Sequence, residues 1–361
     1  CTTRRRRVDM KAAVLYQPGD LRIEDRPVPE CAPDDVLVQV SFNGLCGTDA
    51  TEYSKGPMMV PLSVRHPGSG HQGPTILGHE FIGTVVDAGS NAKGRVGTRV
   101  ACGAGVSCGS CAMCQAGRTN LCDSYYTLGL STHGGLAEFA VAPSSTCVDI
   151  PEECSDVNAA LAQPLAVGIH AVDRAALADQ DTVVVLGVGA IGTFILAALK
   201  GFQGRVVAVD VDPERLAVAQ AMGVDEVLTV APDVTAEELK ESIGAPVDVV
   251  IESSGVNGAA ERSFDLVKMG GNVVLVGLNK VPQALNLASI VLREINVQTT
   301  VAHVCGTDLP KALSILKSHD LASNLPARVI PLAGVVSDGF EPLVAGRAGG
   351  KILVNVGAAG G

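Results

Sequence analysis

The sequence lacks any apolar run of the roughly 18 to 20 residues that a membrane-spanning helix needs. Positive charge is also scarce, since 27 Lys and Arg residues stand against 38 Asp and Glu residues and give a net charge of −11. Nucleic-acid binding depends on clustered Lys and Arg side chains that neutralise phosphates. We therefore predict a folded, soluble protein that binds neither membranes nor nucleic acid.

One basic run, residues 4–7, lies ahead of Met10, where a β-like pattern begins. No apolar stretch of the kind found in secretory signals follows these arginines. We expect residues 1–9 to form a disordered extension and the protein to be cytoplasmic. The 11 cysteines do not indicate a secreted disulfide scaffold, because such scaffolds are short and four of these cysteines crowd between Cys108 and Cys122.

The length of 361 residues exceeds what one hydrophobic core usually supports, so we expect two domains. The first half shows short strand patterns separated by Gly and Pro turns, which predicts a β-rich domain. From residue 182 onward, apolar strands alternate with helical stretches, which predicts a doubly wound parallel sheet in an α/β fold. We place the β-rich domain at 10–163, completed by 303–361, and the doubly wound domain at 164–302.

Individual elements can be predicted in both halves. Asp212 as an N-cap, Pro213 at the first helical position and Gly223 past the end predict a helix between them. The tail should contain a helix at 310–318 and a last strand at 351–356 that packs back onto the first half, because the tail is too small for a core of its own. The predicted strands are 36–40, 83–86 and 136–141 in the first half and 183–186, 206–209, 227–230, 247–251, 273–276 and 295–301 in the second.

Cys108, Cys111, Cys114 and Cys122 follow the spacing C-x2-C-x2-C-x7-C, which lets a short loop place four thiolates around one tetrahedral ion. We expect that ion to be zinc. Unrelated buried or disulfide-linked cysteines are one alternative, and an iron–sulfur cluster is another. Because four thiolates complete the coordination of zinc and leave no position for a substrate, the site is predicted to be structural. Cys102, just upstream, lies outside the pattern and is interpreted as a small buried residue.

Gly187, Gly189, Ile191 and Gly192 belong to a G-x-G-x-x-G segment that directly follows an apolar strand and opens a helix. Glycines at these positions permit a tight turn and a close approach of the backbone to a pyrophosphate at the positive end of the helix. The segment therefore predicts a dinucleotide-binding site.

Asp210 ends the next predicted strand, about twenty residues after the glycines. A carboxylate there binds both ribose hydroxyls and repels a 2′-phosphate, which favours NAD over NADP. Arg215 lies close enough to accept a 2′-phosphate, but we expect Asp210 to dominate. The alternative is a glycine-rich turn followed by a surface aspartate. Leu278 and Val301 lie at strand ends where such a sheet holds the nicotinamide, and each is equally consistent with a plain core residue.

Two further motifs, Cys46-Gly-Thr-Asp and Gly-His79-Glu80, lie in the β-rich half and offer a thiolate, an imidazole and a carboxylate. With the four-cysteine cluster, the Gln163-Pro-Leu-Ala-Val-Gly segment and the glycine fingerprint, they resemble the zinc-containing medium-chain alcohol dehydrogenases, most of all the (R,R)-butanediol and sorbitol dehydrogenase branch. The resemblance covers nearly the whole chain. It implies a GroES-like catalytic domain and a Rossmann domain, with Cys46 and His79 as ligands of a catalytic zinc and Glu80 as a third ligand or a partner of the ligands.

Two positions depart from the family pattern. Gln163 stands where relatives usually carry Glu, so a carboxylate near the metal becomes a neutral amide and the local charge is one unit more positive. Thr51 stands where many relatives have the histidine that passes the alcohol proton to solvent. Thr48 keeps the first hydroxyl of that relay. The ligands are therefore expected to be intact, whereas the proton is expected to leave without the histidine of the family pattern.

The resemblance implies a zinc-dependent enzyme that transfers hydride from a small secondary alcohol or vicinal diol, similar to butanediol and acetoin, to NAD. It also implies one catalytic zinc, one structural zinc and a homodimer or homotetramer. The alternatives are a polyol or threonine dehydrogenase, an aldehyde or formaldehyde dehydrogenase of the same fold, and a non-catalytic nucleotide-binding member that has lost its proton relay. The presence of Cys46, Thr48, His79 and Glu80 argues against the last of these.

Overall fold

The computed structural model describes residues 9–279, 281–325 and 327–357. The predicted disordered extension falls on residues 1–8, which lie outside the described residues. Its last residue, Asp9, already belongs to the first strand, so the predicted extension is one residue too long at that end.

The strands are numbered along the whole chain. They are β1 (Asp9–Gln17), β2 (Asp20–Pro27), β3 (Asp35–Gly44), β4 (Thr75–Ile76), β5 (Glu80–Ala88), β6 (Arg99–Cys102), β7 (Gly105–Val106), β8 (Tyr126–Thr127), β9 (Phe139–Pro143), β10 (Cys147–Asp149), β11 (Thr182–Leu186), β12 (Arg205–Asp210), β13 (Glu226–Thr229), β14 (Val249–Glu252), β15 (Asn272–Leu275), β16 (Asn296–Thr299), β17 (Ala327–Pro331) and β18 (Lys351–Asn355).

The helices are numbered in the same way. The α-helices are α1 (Gly47–Lys55), α2 (Ala112–Gln115), α3 (Asp156–Ala159), α4 (Ala162–Ala175), α5 (Ala190–Ala198), α6 (Pro213–Ala221), α7 (Ala236–Ile243), α8 (Ala259–Leu266), α9 (Leu287–Leu292), α10 (Cys305–Ser318), α11 (Leu321–Asn324) and α12 (Glu341–Val344). Short 3₁₀ turns lie at Lys93–Arg95, Thr119–Leu121, Ser144–Thr146 and Leu332–Gly334, and one π-helical turn at Val335–Phe340. None of the described helices is both long and apolar enough to cross a membrane.

The chain divides into two compact units. One contains the described residues up to Gln163 together with those from Val304 onward, and the other is Pro164–His303. The first unit carries the two cysteine-containing motifs, and the second carries the glycine fingerprint. Each unit has its own hydrophobic core, so the two are described separately.

The main sheet of the first unit has the strand order β10-β6-β5-β3-β18-β17, and β9 also pairs with β3. Side chains alternate between its faces, so Val38 and Val40 on β3 are buried while Gln39 is exposed. The last strand, β18, lies antiparallel to β3 with Leu353 opposite Gly44. The tail of the chain therefore completes this sheet, as the sequence predicts.

One strand of this unit begins later than predicted. The pattern at 136–141 predicts a strand from residue 136, but β9 begins at Phe139. The Leu136 N–H donates to Leu77 and its carbonyl accepts from Ala13, so this residue bonds outside a regular ladder. Alternating hydrophobicity reports that a backbone is extended, and it does not report which strand that backbone pairs with.

One helix of this unit begins earlier than predicted. Proline is favoured in the first turn of helices, which predicts a start at Pro310, but α10 begins at Cys305. The carboxylate of Asp308 accepts from the Val304 N–H at 2.7 Å and supplies the partner that a first turn needs. Pro310 consequently lies inside the helix.

The second unit is built on one parallel sheet with the order β13-β12-β11-β14-β15-β16. This is the order of a dinucleotide-binding Rossmann fold. All six strands begin and end within two residues of the predicted positions; β16, for example, ends at Thr299 rather than 301. The predicted helix is α6, whose N-cap Asp212 accepts from the Glu214 N–H at 2.9 Å, with Gly223 at φ +88° just beyond the end.

The buried side chain of Asn158 ties α3 to the C-terminal part of the first unit. Its Nδ2 donates to the carbonyls of Leu316 and His319 at 2.6 and 2.8 Å, and its Oδ1 accepts from the Ala322 N–H at 3.0 Å. We predict that Asn158→Ala lowers the free energy of unfolding by roughly 2 to 4 kcal/mol, because one buried and two partly buried backbone groups lose their partner. The measurement is thermal and urea unfolding. The exposed Asn91→Ala is the matched control, and an Asn158 variant as stable as that control contradicts the prediction.

Candidate functional sites

The four cysteines Cys108, Cys111, Cys114 and Cys122 converge in the first unit. Their Sγ atoms all lie within 4.8 Å of one another, and all four are free thiols. Backbone N–H groups point at the sulfurs, since the N–H of Cys108 donates to Cys122 Sγ at 3.2 Å and that of Cys111 donates to Cys108 Sγ at 3.3 Å. This arrangement suits a tetrahedral metal site made entirely of thiolates. The disulfide alternative does not fit it.

Hydrogen bonds prepare one of these sulfurs for metal binding. Ser110 donates to Cys108 Sγ through both its side chain and its backbone, at 3.5 and 3.4 Å. These bonds lower the pKa of Cys108 to about 6. A thiolate is the metal-binding form of cysteine, so the loop stabilises the charge state that a metal requires.

A second cluster joins Cys46, His79 and Glu80, whose potential ligand atoms also lie within 4.8 Å of one another. Cys46 is the residue before α1, and His79 and Glu80 lie at the start of β5. Gly78 has φ +95°, and a Cβ atom there would lie 2.8 Å from the backbone nitrogen of Leu136. Glycine is therefore required at this turn, which directs the imidazole and the carboxylate toward Cys46.

Asp49 is fully buried and joins two members of this cluster. Its Oδ2 accepts from the Cys46 N–H at 3.0 Å, and its Oδ1 lies 3.1 Å from His79 Nδ1. An Nδ1–H that donates to a carboxylate leaves Nε2 as the free ligand atom and fixes the ring. Asp49 is absent from the residues predicted from the sequence. The spacing Cys46-x-x-Asp49, which resembles a helix capping box, is the signal that could have found it.

The protonation of His79 is set by opposing effects. Burial alone lowers the pKa of His79, but the neighbouring charges of Asp49 and Cys46 raise it well above its ordinary value. Metal binding needs the neutral imidazole, so a metal must displace a proton here. The affinity for a metal at this cluster should therefore fall as the pH falls.

Glu80 has a buried partner from the other end of the chain. Lys351, at the start of β18, forms an ion pair with Glu80 Oε2 and donates to the Leu45 carbonyl at 3.1 Å. A Cβ atom at Gly44 would lie 2.2 Å from Glu80 Oε2, so glycine leaves the space that this pair occupies. Lys351 is also absent from the predicted site residues, because no local pattern links it to Glu80.

The other two predicted catalytic residues are Thr48 and Gln163, and Thr51 is the position where the family's histidine is replaced. Thr48 Oγ1 is 3.7 Å from Cys46 Sγ. Thr51 donates its hydroxyl to the Gly47 carbonyl at 2.9 Å, one turn earlier in α1. That hydroxyl is therefore bonded to the helix backbone. Gln163 is half-buried at the second position of α4.

The glycine fingerprint forms the turn between β11 and α5 in the second unit. Gly187 has φ +89°, and Gly189 is the residue before α5. A Cβ atom at Gly192 would lie 2.0 Å from the Gly187 carbonyl oxygen, so only glycine allows the helix to approach the strand this closely. Ile191 is half-buried in the first turn of α5. The segment thus has the strand–turn–helix geometry that binds a pyrophosphate.

Asp210 is buried at the end of β12, so the alternative of a surface aspartate is wrong. Its Oδ2 accepts from the Val188 N–H at 2.6 Å, and its Oδ1 accepts from the Asp212 N–H at 2.9 Å. Arg215 Nη1 lies 3.7 Å from Asp210 Oδ1, and Arg215 Nε lies 3.4 Å from Asp212 Oδ2. The arginine is thereby neutralised by two carboxylates.

Leu278 and Val301 follow β15 and β16, and they are 86% and 55% exposed. The interpretation of these two as plain core residues is therefore wrong. Both lie beyond the carboxyl ends of their strands, which is where ligands bind to sheets of this kind.

Comparison with known proteins agrees with this architecture. Residues 32–152 match the family model of the alcohol dehydrogenase GroES-like domain, and residues 190–318 match that of the zinc-binding dehydrogenases. The chain is 33% identical to the sorbitol dehydrogenase of Bacillus subtilis over 86% of each protein.

Two solved structures are similar along nearly the full chain. The 2R,3R-butanediol dehydrogenase of Bacillus subtilis is 30% identical, with a TM-score of 0.87 over 96% of this chain and 99% of that one. An alcohol dehydrogenase of E. coli CFT073, solved with NADH, is 25% identical with a TM-score of 0.87 over 97% and 100% of the two chains. These matches confirm the predicted fold class, enzyme class and family. By its sequence and its fold, the chain belongs to the zinc-containing medium-chain alcohol dehydrogenases of the polyol and butanediol type.

Proposed function

We propose that this enzyme transfers hydride from a small secondary alcohol or vicinal diol, similar to butanediol, to NAD and produces the ketone. The observation that supports this proposal most strongly is the convergence of Cys46, His79 and Glu80 with Asp49 behind the histidine. A site that had lost its function would be expected to lose ligands first. The complete ligand set therefore argues against a non-catalytic nucleotide-binding protein.

The donor set fits zinc in chemistry and number. One thiolate, one imidazole and one carboxylate are typical zinc ligands, and three protein ligands leave one position open, as in catalytic zinc sites. Zinc bound there supplies Lewis acidity that lowers the pKa of an alcohol at the open position. Within the chain, Asp49 orients His79, Lys351 neutralises part of the charge on Glu80, and Thr48 offers a hydroxyl that accepts and passes on the substrate proton.

Gln163 and Thr51 set this enzyme apart from the family pattern. We propose that Gln163 lies near the metal as a neutral amide and leaves the zinc environment one charge unit more positive than a glutamate does. A more positive environment favours the ionised form of a bound alcohol at lower pH. Because the Thr51 hydroxyl is bonded to the helix, the proton is proposed to leave through water.

The proposed cofactor site uses Gly187, Gly189, Ile191 and Gly192 for the pyrophosphate and Asp210 for the ribose diol. Asp210 is held by two backbone N–H groups, and Arg215 is paired with carboxylates. Both features support NAD over NADP, because a 2′-phosphate would meet a fixed negative charge. Leu278 and Val301 are proposed to contact the nicotinamide end.

We further propose that the domains span 10–163 with 303–361 and 164–302, that the protein is cytoplasmic, and that it assembles as a homodimer or homotetramer. Polyols are competing substrates, since relatives with similar identity include both a sorbitol and a butanediol dehydrogenase. Threonine and aldehydes are the other substrates to be compared.

The substrate proposal is tested with a panel of 2,3-butanediol isomers, sorbitol, simple secondary alcohols, L-threonine and formaldehyde. We expect the highest kcat/KM with a vicinal diol or small secondary alcohol and NAD, measured as NADH formation by absorbance. A higher kcat/KM for sorbitol, threonine or formaldehyde refutes the substrate class. If zinc-loaded, folded protein turns over none of these compounds, the proposed activity is refuted.

The metal proposal predicts two zinc ions per chain by elemental analysis. Cys46→Ser should lose one zinc ion with little effect on the melting temperature. Cys111→Ser should lose the other zinc ion and melt at a clearly lower temperature, because a structural zinc contributes directly to folding. Cys154→Ser, at a buried cysteine outside both clusters, is the matched control. Iron in place of zinc at the four-cysteine loop, or a single zinc in the wild type, contradicts the assignment.

The cofactor proposal predicts that Asp210→Ser loses most of the preference for NAD. The reason is that the variant removes the carboxylate that binds the ribose diol and repels the 2′-phosphate. Asp212→Ser is the control, because it removes the same charge two residues away and keeps a good N-cap. The ratio of kcat/KM for NAD and NADP is measured for all three proteins. Equal values for the two cofactors in the wild type would falsify the role of Asp210.

A further inference from the structure

Two cysteines outside both metal clusters face each other across neighbouring strands. Cys102 ends β6 and Cys147 begins β10, and the two are direct partners in the antiparallel register. The Gly103 N–H donates to the Thr146 carbonyl at 2.8 Å, so the next pair along the ladder is hydrogen-bonded. Hydrogen-bonded and non-hydrogen-bonded pairs alternate in antiparallel sheets. Cys102 and Cys147 therefore form a non-hydrogen-bonded pair.

That position brings the two thiols close together on one face of the sheet. Cα atoms of a non-hydrogen-bonded pair lie about 4.5 Å apart, and cysteines joined by a disulfide have Cα atoms about 4.4 to 6.8 Å apart. Both side chains are buried, at 1% and 5% exposure, and both are free thiols. We propose that Cys102 and Cys147 form an oxidation site, in which hydrogen peroxide converts the two thiols into a cross-strand disulfide.

The two sulfurs differ in ways that assign their roles. A hydrogen bond from Cys102, together with the positive charge of Arg95, lowers the pKa of Cys147 despite its burial. Burial and the adjacent Cys147 raise the pKa of Cys102 well above its ordinary value. The thiolate is the reactive form of cysteine, so Cys147 is the sulfur that meets peroxide first.

The oxidation of the two thiols to a disulfide takes place in two steps. The Cys147 thiolate attacks one peroxide oxygen, an S–O bond forms as the O–O bond breaks, and the released hydroxide leaves as water after taking a proton. The Cys102 sulfur attacks the resulting sulfenic sulfur, an S–S bond forms as the S–O bond breaks, and a second water leaves. The two sulfurs lose two electrons in total, and the peroxide oxygens gain them.

The location of Cys147 supplies access for a small oxidant. Its strand, β10, lies at the edge of the main sheet and is only three residues long. Short edge strands open locally at a lower free-energy cost than central strands. Cys305 is a competing thiol in the same unit, but its Sγ donates to the Gly105 carbonyl at 3.2 Å and it has no place in the β6–β10 ladder.

The test oxidises the reduced, zinc-loaded protein with a small excess of hydrogen peroxide and maps the products by mass spectrometry. Trypsin alone leaves Cys102 on one peptide with zinc-site cysteines, so elastase, which cleaves after small residues such as Ala104, is added and the fragments are sequenced. We expect a Cys102–Cys147 linked peptide with a mass about 2 Da below the sum of its parts. A thiol reductant should reverse the link, and both zinc ions should remain bound.

Variants separate this site from its competitors. The link should be lost in Cys102→Ala and kept in the matched controls Cys154→Ala and Cys305→Ala. In Cys102→Ala the sulfenic acid on Cys147 has no partner and should be trapped by dimedone, whereas Cys147→Ala should give no adduct at Cys102. If either variant fails to fold, the wild-type peptide map decides the question. Links through zinc-site cysteines with zinc release, a link to Cys305, or full recovery of both thiols after peroxide treatment would overturn the proposal.

Discussion

One buried carboxylate holds the candidate catalytic centre together. Asp49 accepts from the backbone of Cys46 and lies against His79 Nδ1, so it fixes the start of α1 to the start of β5. The same contact leaves the other imidazole nitrogen free for a metal. The carboxylate therefore serves the fold and the chemistry at once, since the segment that it caps is the segment that carries the thiolate.

The carboxylate of the candidate metal cluster depends on a different part of the chain. Glu80 is paired with Lys351 on the last strand, and that strand enters the sheet beside β3, where Gly44 leaves space for the ion pair. A buried carboxylate without a partner is costly, so the docking of the tail stabilises the charge on Glu80. The C-terminal segment is consequently part of the candidate metal site as well as of the sheet.

The sequence predicted most of what local patterns encode. The six parallel strands, the helix from Pro213 and both cysteine motifs follow from periodicity, capping residues and ligand spacing. Contacts between distant segments could not be predicted in this way, because no local rule links Lys351 to Glu80 or Cys102 to Cys147. The start of α10 was missed for a related reason, since Asp308 supplies a cap that the proline pattern does not reveal.

The claim that Cys46, His79 and Glu80 form a catalytic zinc site can be tested most directly by crystallography of the zinc-loaded protein. Anomalous difference data collected on both sides of the zinc absorption edge locate the metal and identify it. The account predicts a zinc peak at this cluster with a sulfur about 2.3 Å away and an imidazole nitrogen about 2.1 Å away, and a second peak inside the four-cysteine loop. A zinc peak in the four-cysteine loop alone, from protein with full NAD-linked activity, would contradict it.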